Sequence, residues 1–232
     1  MPVFRPVTLL VAALLGLGAA TAPAAEADTG GTPAPDPVAA GDHGLEASAH
    51  VLRGEDARFR GRLPVTAAGG QVAVQRLDAA TGTWEPLATA LVAADGTYFA
   101  RWRTDRPGRH RLRAQLLPGA AAIAATASPE VDVTVYAPYL ATWYGPGFFG
   151  RRTACGRRMS STLLGVAHKT LPCRTLVALS FRGRSITVPV VDRGPFRPGK
   201  TWDLTAATAD ALGFRHTARI GAAVIARPQA SR

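Results

Sequence analysis

The sequence predicts a mainly β protein, a β-sandwich followed by a small closed β-barrel. Three observations carry that expectation. The chain holds 24 glycines and 18 prolines in 232 residues, a turn-rich composition that disfavours helical bundles. Apolar and polar residues alternate at period two through much of 44–136, the pattern of half-buried strands. Charge then breaks near residue 136. Residues 28–136 carry 11 basic and 12 acidic side chains, whereas 137–232 carry 15 and 3. Two parts with net charges of −1 and +12 read as two domains with different tasks.

The chain opens on an expected signal peptide, 1–27. Residues 1–6 form a short basic start with Arg5, and 7–20 form an apolar run of 14 residues. A membrane-spanning helix needs about 20, so the run reads as the core of an export signal rather than an anchor. Small residues at Ala22, Ala24, Ala25 and Ala27 offer two cleavage sites, and the one after Ala27 is preferred. No cysteine lies nearby, which excludes a lipid anchor there. Residues 28–43, rich in Gly, Pro, Ala and Asp, read as a linker. The expectation is a secreted, cell-wall-associated monomer with no stable membrane insertion after cleavage. Export also decides between polyanions: the basic C-terminal part meets wall components, not nucleic acid.

Residues 44–136 read as six or seven strands. Ala57, Phe59, Gly61 and Leu63 alternate with Arg58, Arg60 and Arg62, and Val72, Val74 and Arg76 alternate with Ala73, Gln75 and Leu77. Ala94-Asp95-Gly96 is a hairpin signal ahead of a strand from Tyr98 to Trp102, and Pro107-Gly108 turns into the next strand. Val131, Val133 and Val135 close the set. Short strands at this spacing point to a sandwich. The segment resembles bacterial immunoglobulin-like domains of secreted surface proteins, which implies a spacer or adhesion module. It holds no catalytic grouping, and His110, inside a strand, reads as structural.

In 137–232 the strand Ala141-Thr142-Trp143-Tyr144 runs into the turn Gly145-Pro146-Gly147. Further strands are expected at 176–181 and from Ser185 to Asp192, the latter ending on a carboxylate and the turn Arg193-Gly194-Pro195-Phe196. A short helix is expected over 206–212, with Thr205 as N-cap and Gly213 as its left-handed stop. Outside the cytoplasm the two cysteines, Cys155 and Cys173, read as a disulfide closing 17 residues. Two free thiols are the other reading.

The strings ATWYGPGFFGRRTACG, GVAHKTLP, VPVVDRGPF and TWDLTAATADALGF resemble the rare lipoprotein A (RlpA-like) family, whose domain is a six-stranded double-psi β-barrel related to the first domain of expansins. The resemblance implies lytic transglycosylase action on peptidoglycan, or expansin-like wall loosening with little hydrolysis. Carried over residue by residue, it implies catalytic roles for Asp192, Asp203 and His168 and substrate contacts from Thr142, Trp143, Tyr144 and Arg193. One departure stands out: the glutamate that family members often carry after the A-x-G turn is Arg157 here. The cysteine pair resembles the pattern of expansin-like relatives.

The chemistry fits a carboxylate-poor domain. A lytic transglycosylase needs one acid/base group, which protonates the leaving oxygen and then accepts the C6-hydroxyl proton. Asp192, Asp203 and Asp210 are the only carboxylates in 137–232, and Asp210 falls in the expected helix. Asp192 is expected to act, with His168 and Asp203; Arg193 and the basic field argue for a depressed rather than raised acid. Plainer readings stand beside these: Asp192 bonding turn amides, Asp203 capping, His168 structural, and Trp143, Tyr144, Phe148 and Phe149 packing rather than stacking sugar. No cofactor is expected, and a metal site of His168 with the aspartates is set aside. The alternatives kept are a non-catalytic expansin-like glycan-binding module and, more distantly, a protease-inhibitor-like barrel.

Overall fold

The computed structural model describes residues 44–119 and 127–228. The expected signal peptide and linker lie outside the described residues. Among those described, no helix is long and apolar enough to cross a membrane.

The fold is mainly β. The strands are β1 (Leu45–Ala47), β2 (His50–Leu52), β3 (Asp56–Arg62), β4 (Gln71–Leu77), β5 (Trp84–Leu91), β6 (Thr97–Arg103), β7 (Gly108–Leu116) and β8 (Val131–Tyr144), then β9 (Val166–Ala167), β10 (Leu176–Phe181), β11 (Arg184–Asp192), β12 (Trp202–Thr205) and β13 (Ala218–Ala226). One helix, α1 (Ala206–Leu212), follows β12.

In the N-terminal part β1, β3 and β6 form one sheet, while β7, β4 and β5 extend a second from β8. Both sheets feed one core, with Phe59, Tyr98 and Trp102 from the first and Val74, Leu112 and Val133 from the second. The alternation in β3 does what its sequence says: Ala57, Phe59 and Gly61 are buried, and the arginines between them are exposed. Gly61 is required by packing, because a Cβ there would enter the ring of Tyr98, its cross-strand partner. Arg76 shares the buried face of β4 at 7% exposure. It is accommodated by Glu85 at 3.0 Å, Asp105 at 3.6 Å and the face of Trp102. His110 packs edge-on against Trp102 and bonds the Arg106 carbonyl at 2.8 Å.

One expectation fails here. The turn at Ala94–Gly96 forms, with Ala93 N–H donating to the Thr97 carbonyl, but its flanks are not hairpin partners. β5 pairs with β4 and β6 pairs with β3, so the turn carries the chain from one sheet to the other. A tight turn fixes a reversal; it does not say which edge the next strand joins.

β8 runs unbroken through position 136. Its first half pairs with β7 and β2, and its second half with β13 and then, in parallel, with β12. Around that second half six strands close on themselves in the order β8-β13-β10-β11-β9-β12, with β12 returning to β8. Ala141, Val166, Leu179, Val190, Trp202, Leu204 and Phe214 fill the interior. Each buried Leu or Phe there is worth roughly 1.5–3 kcal/mol. α1 covers one side of the barrel. The Thr205 side chain accepts from Thr208 N–H, and Gly213 stops the helix at φ 68°, where a Cβ would be strained.

Gly165 marks a close approach. A Cβ there would sit 2.5 Å from Cγ2 of Val191, whereas one at Gly147 would meet nothing within 4 Å. Gly165→Ala is therefore expected to cost about 1–3 kcal/mol in urea unfolding, with Gly147→Ala close to wild type. Equal stabilities for the two variants would contradict this packing.

Candidate active site: a carboxylate groove across four strands

Four strands lay a single row of side chains across one side of the barrel. Asp192 on β11 faces Ala167 on β9, Ala167 faces Asp203 on β12, and Asp203 faces Thr142 on β8. Residues in register share a face, so this row is the floor of a groove of ≈ 850 Å3. The neighbours Ala141, Val166 and Leu204 point to the core instead, as strand alternation requires.

Asp192 reaches that row through a β-bulge. The pairing shifts between Val190 and Asp192, leaving Val191 as an extra residue against β9. Val190 points into the core. In a regular strand Asp192, two residues on, would point the same way as Val190; the bulge at Val191 turns it outward. Val191 is buried against Gly165, which explains why glycine stands there.

The two carboxylates differ sharply in surroundings. Asp192 is filled with donors: Oδ1 accepts from the N–H groups of Ala154 and Arg193, both at 2.8 Å, and Oδ2 accepts from the Tyr144 hydroxyl at 3.2 Å. Burial, with Asp192 beside it, raises the Tyr144 hydroxyl far above the usual phenol, so it stays a donor. Asp203 has one donor in this set, the Thr142 hydroxyl at 2.7 Å on Oδ1. Burial holds the Asp203 carboxyl above its ordinary value; the Thr142 bond opposes this, and the negative Asp192 adds to it. Lys200 and Arg197 pull the other way and do not win. Of the two carboxyls, Asp203 is the one that burial raises.

His168 stands behind this floor, and it is not among the side chains that line the groove. Its ring lies on Trp202 with centroids 4.5 Å apart, and Nδ1 accepts from the N–H groups of Thr170 and Leu171. An accepting Nδ1 places the ring proton of a neutral imidazole on Nε2. Burial, then Arg193 and Lys169, lowers its pKa and so favours the neutral ring. Its backbone N–H also bonds the Asp192 carbonyl at 3.2 Å. The geometry suits it to holding the β9–β11 junction.

The remaining candidates fall in place around the floor. Trp143, Tyr144 and Arg193 line the groove with Thr142. Trp143 is 41% exposed and donates from Nε1 to the Arg215 carbonyl at 3.3 Å. Cys155 and Cys173 form a disulfide with Cα atoms 5.6 Å apart. It clamps the tight loop 150–159, in which Gly156 N–H bonds the Thr153 carbonyl and Gly156 takes φ 80°. That loop presents Ala154 N–H to Asp192. The Arg157 side chain is exposed and outside the groove lining. Asp210 is on α1, exposed and paired with Arg215.

Sequence reasoning missed several groove residues: Ala167, Phe196, Arg197, His216 and Thr217. Phe196 carried a signal, an aromatic set between Pro195 and Arg197 in a turn segment with no periodic partner; it is 81% exposed. With Phe148 at 48% exposure and Trp143, it gives the rim three solvent-facing rings. His216 and Thr217 lie in the connection from α1 to β13, where no local pattern marks them. No group of three or more metal-ligating side chains occurs among the described residues.

The site is thus a closed six-stranded barrel with two unlike aspartates on one outer row. Residues 137–225 match the family model described as lytic transglycolase. The same stretch is similar to a probable endolytic peptidoglycan transglycosylase RlpA of Synechocystis sp., 46% identical over 84 residues, covering 35% of this chain and 26% of the relative. It is similar to the endolytic peptidoglycan transglycosylase RlpA of Rickettsia bellii at 41% over 80 residues, 32% and 35%. A third, from Aquifex aeolicus, is 44% identical over 76 residues, 32% and 34%. The chain thus spans about a third or less of these curated relatives. Among solved structures, the Streptomyces papain inhibitor is 27% identical over 38% of this chain and 91% of that chain, with a TM-score of 0.32, too low to bear on the fold. The family model's match falls on the six-stranded barrel.

Proposed function

We propose that the RlpA-like barrel cleaves peptidoglycan glycan strands by lytic transglycosylation, with Asp203 as the acid/base. The observation that carries this reading is the contrast of the two carboxylates. Asp203 is half-buried, raised and lightly bonded, while Asp192, on the far side of β9 on the same floor, is held by three donors.

The reaction follows from that contrast. A protonated Asp203 gives its proton to the glycosidic oxygen between MurNAc and GlcNAc as the C1–O bond breaks. Positive charge builds at C1 and the ring oxygen, where the Asp192 carboxylate opposes it electrostatically. The C6 hydroxyl of the same sugar closes on C1, and the Asp203 carboxylate takes its proton. A 1,6-anhydro ring and a free 4-hydroxyl result, with Asp203 returned to its acid form and no water consumed. One group serves both proton transfers. The aromatic rim of Trp143, Phe148 and Phe196 offers flat apolar faces to sugar rings, and Arg193 and Arg197 offer charge to their acidic substituents.

The remaining readings belong to the same picture: export through the 1–27 signal, a monomeric wall-associated protein, and an immunoglobulin-like spacer in 44–136. The expansin-like alternative, binding without cleavage, rests on Arg157 standing where family members often carry a glutamate.

Incubating the full chain with purified insoluble peptidoglycan tests the proposal. Soluble fragments ending in 1,6-anhydro-MurNAc are the expected product. Fragments with ordinary reducing ends would mean hydrolysis, and binding with no release would leave the expansin-like reading. Pelleting with the same peptidoglycan is expected to weaken as salt rises, because exposed charge attraction is screened over about 8–10 Å near physiological salt. Binding indifferent to salt would remove the role given to the net +12 of 137–232.

A further inference from the structure

The N-terminal part is nearly neutral as a whole, yet one of its faces is not. The β3–β6 register places Arg58 opposite Arg101, Arg60 opposite Phe99, Arg62 opposite Thr97 and Asp56 opposite Arg103. Alternation puts Ala57, Phe59, Tyr98, Ala100 and Trp102 in the core, so the five arginines and Phe99 share the outer face. Three of the arginines are occupied. Arg60 pairs with Glu46 at 3.1 Å, Arg103 with Asp56 at 3.7 Å, and Arg62 donates to the Asp95 carbonyl at 3.4 Å. Arg58 and Arg101 face each other across the strands with no acidic partner among the described residues. Like charges placed directly opposite destabilise a sheet, so folding gives no reason for this pair. Beside it Phe99 is 66% exposed, the one large apolar side chain exposed on β1, β3 and β6.

We propose that this face docks an anionic polysaccharide, with Arg58 and Arg101 taking its acidic groups and Phe99 stacking on a sugar ring. Guanidinium groups match carboxylate and phosphate oxygens in paired, charge-assisted hydrogen bonds. Along β3 the arginines recur every second residue, roughly 6.8 Å apart, and the partner strand lies about 4.8 Å away. That grid suits an extended polymer with repeating charges. A lipid surface fits less well, because a single ring among arginines offers little to insert. The site is separate from the groove and does not depend on what the groove does.

The test measures binding of the full chain to polygalacturonate, with neutral dextran and phosphatidylglycerol vesicles as comparison probes. Arg101→Glu gives Arg58 a cross-strand partner and reverses the charge at its centre. It is expected to raise the melting temperature or leave it unchanged, while weakening polygalacturonate binding about tenfold. Phe99→Ser is expected to weaken it as well. The control pair Arg109→Ser with Arg111→Ser, exposed on β7, removes two charges elsewhere and is expected to stay within about twofold. If Arg101→Glu folds poorly, Arg58→Ser with Arg101→Ser decides by the same criteria. Unchanged affinity in the face variants, equal loss in the control pair, or loss confined to vesicle binding would each overturn the proposal. Release of anhydro fragments is expected to persist in all of them, so failure here leaves the groove assignment standing.

Discussion

Asp203→Asn is expected to abolish release of anhydro-ended fragments, a loss of at least about a hundredfold, while peptidoglycan pelleting stays near wild type. An amide keeps the shape and can still accept from Thr142, but it cannot give or take the proton. The same variant is expected to unfold at a higher temperature near neutral pH. Burial raises the carboxyl above 3.8, so the protonated form is favoured by folding. Stability from that preference is fully present below the unfolded value of 3.8 and is lost as pH rises through the folded value. Removing the ionisation therefore helps above that window and gives no gain below pH 3.8. Lost activity together with unchanged or lower stability at neutral pH would argue that Asp203 is an ordinary carboxylate. Asp192→Asn is expected to impair release through a disturbed floor, since Tyr144 and two backbone N–H groups converge on that carboxylate.

Loss of the disulfide is expected to have the second largest effect. Cys155→Ser with Cys173→Ser frees a loop of 17 intervening residues, which costs about 3 kcal/mol in the chain-entropy account. The consequence reaches the site as well as the fold. The 150–159 loop brings Ala154 N–H to Asp192 at 2.8 Å, and Arg193 passes 3.9 Å from Cys155 Sγ. Activity at temperatures where the barrel remains folded is therefore expected to fall with stability. Denaturant unfolding with and without reductant, followed by fragment release under the same conditions, checks both. A reduced chain with unchanged stability and full activity would show that the loop needs no clamp.

How far the sequence reaches depends on how local the determinant is. The helix at 206–212, with Thr205 and Gly213 at its ends, was readable because each signal lies within a few residues of its effect. Strand β10 was readable for the same reason: an apolar run between turns. The row Asp192-Ala167-Asp203-Thr142 was not, because it depends on which strands become neighbours and in what register. The bulge at Val191 decides the face on which Asp192 emerges, yet nothing in VPVVDRGPF announces an unpaired residue. The turn at Ala94–Gly96 misled in the same way, since strand pairing is set by long-range contacts. The contrast in surroundings between the two aspartates was not legible either. Arg193 follows Asp192 in sequence, which suggested a guanidinium beside it, but the contact that forms is from the Arg193 backbone N–H. Burial, the cause that lifts Asp203, has no sequence signature at a strand position flanked by Trp202 and Leu204.

The central claim is that Asp203, in its protonated form, starts the cleavage. The most direct measurement is an NMR titration of the Asp203 carboxyl set beside the pH dependence of fragment release by the same protein. The account predicts a midpoint above 3.8 and a loss of rate, as pH rises, through that same midpoint. A midpoint at or below 3.8, or a rate that stays level across it, would contradict the account.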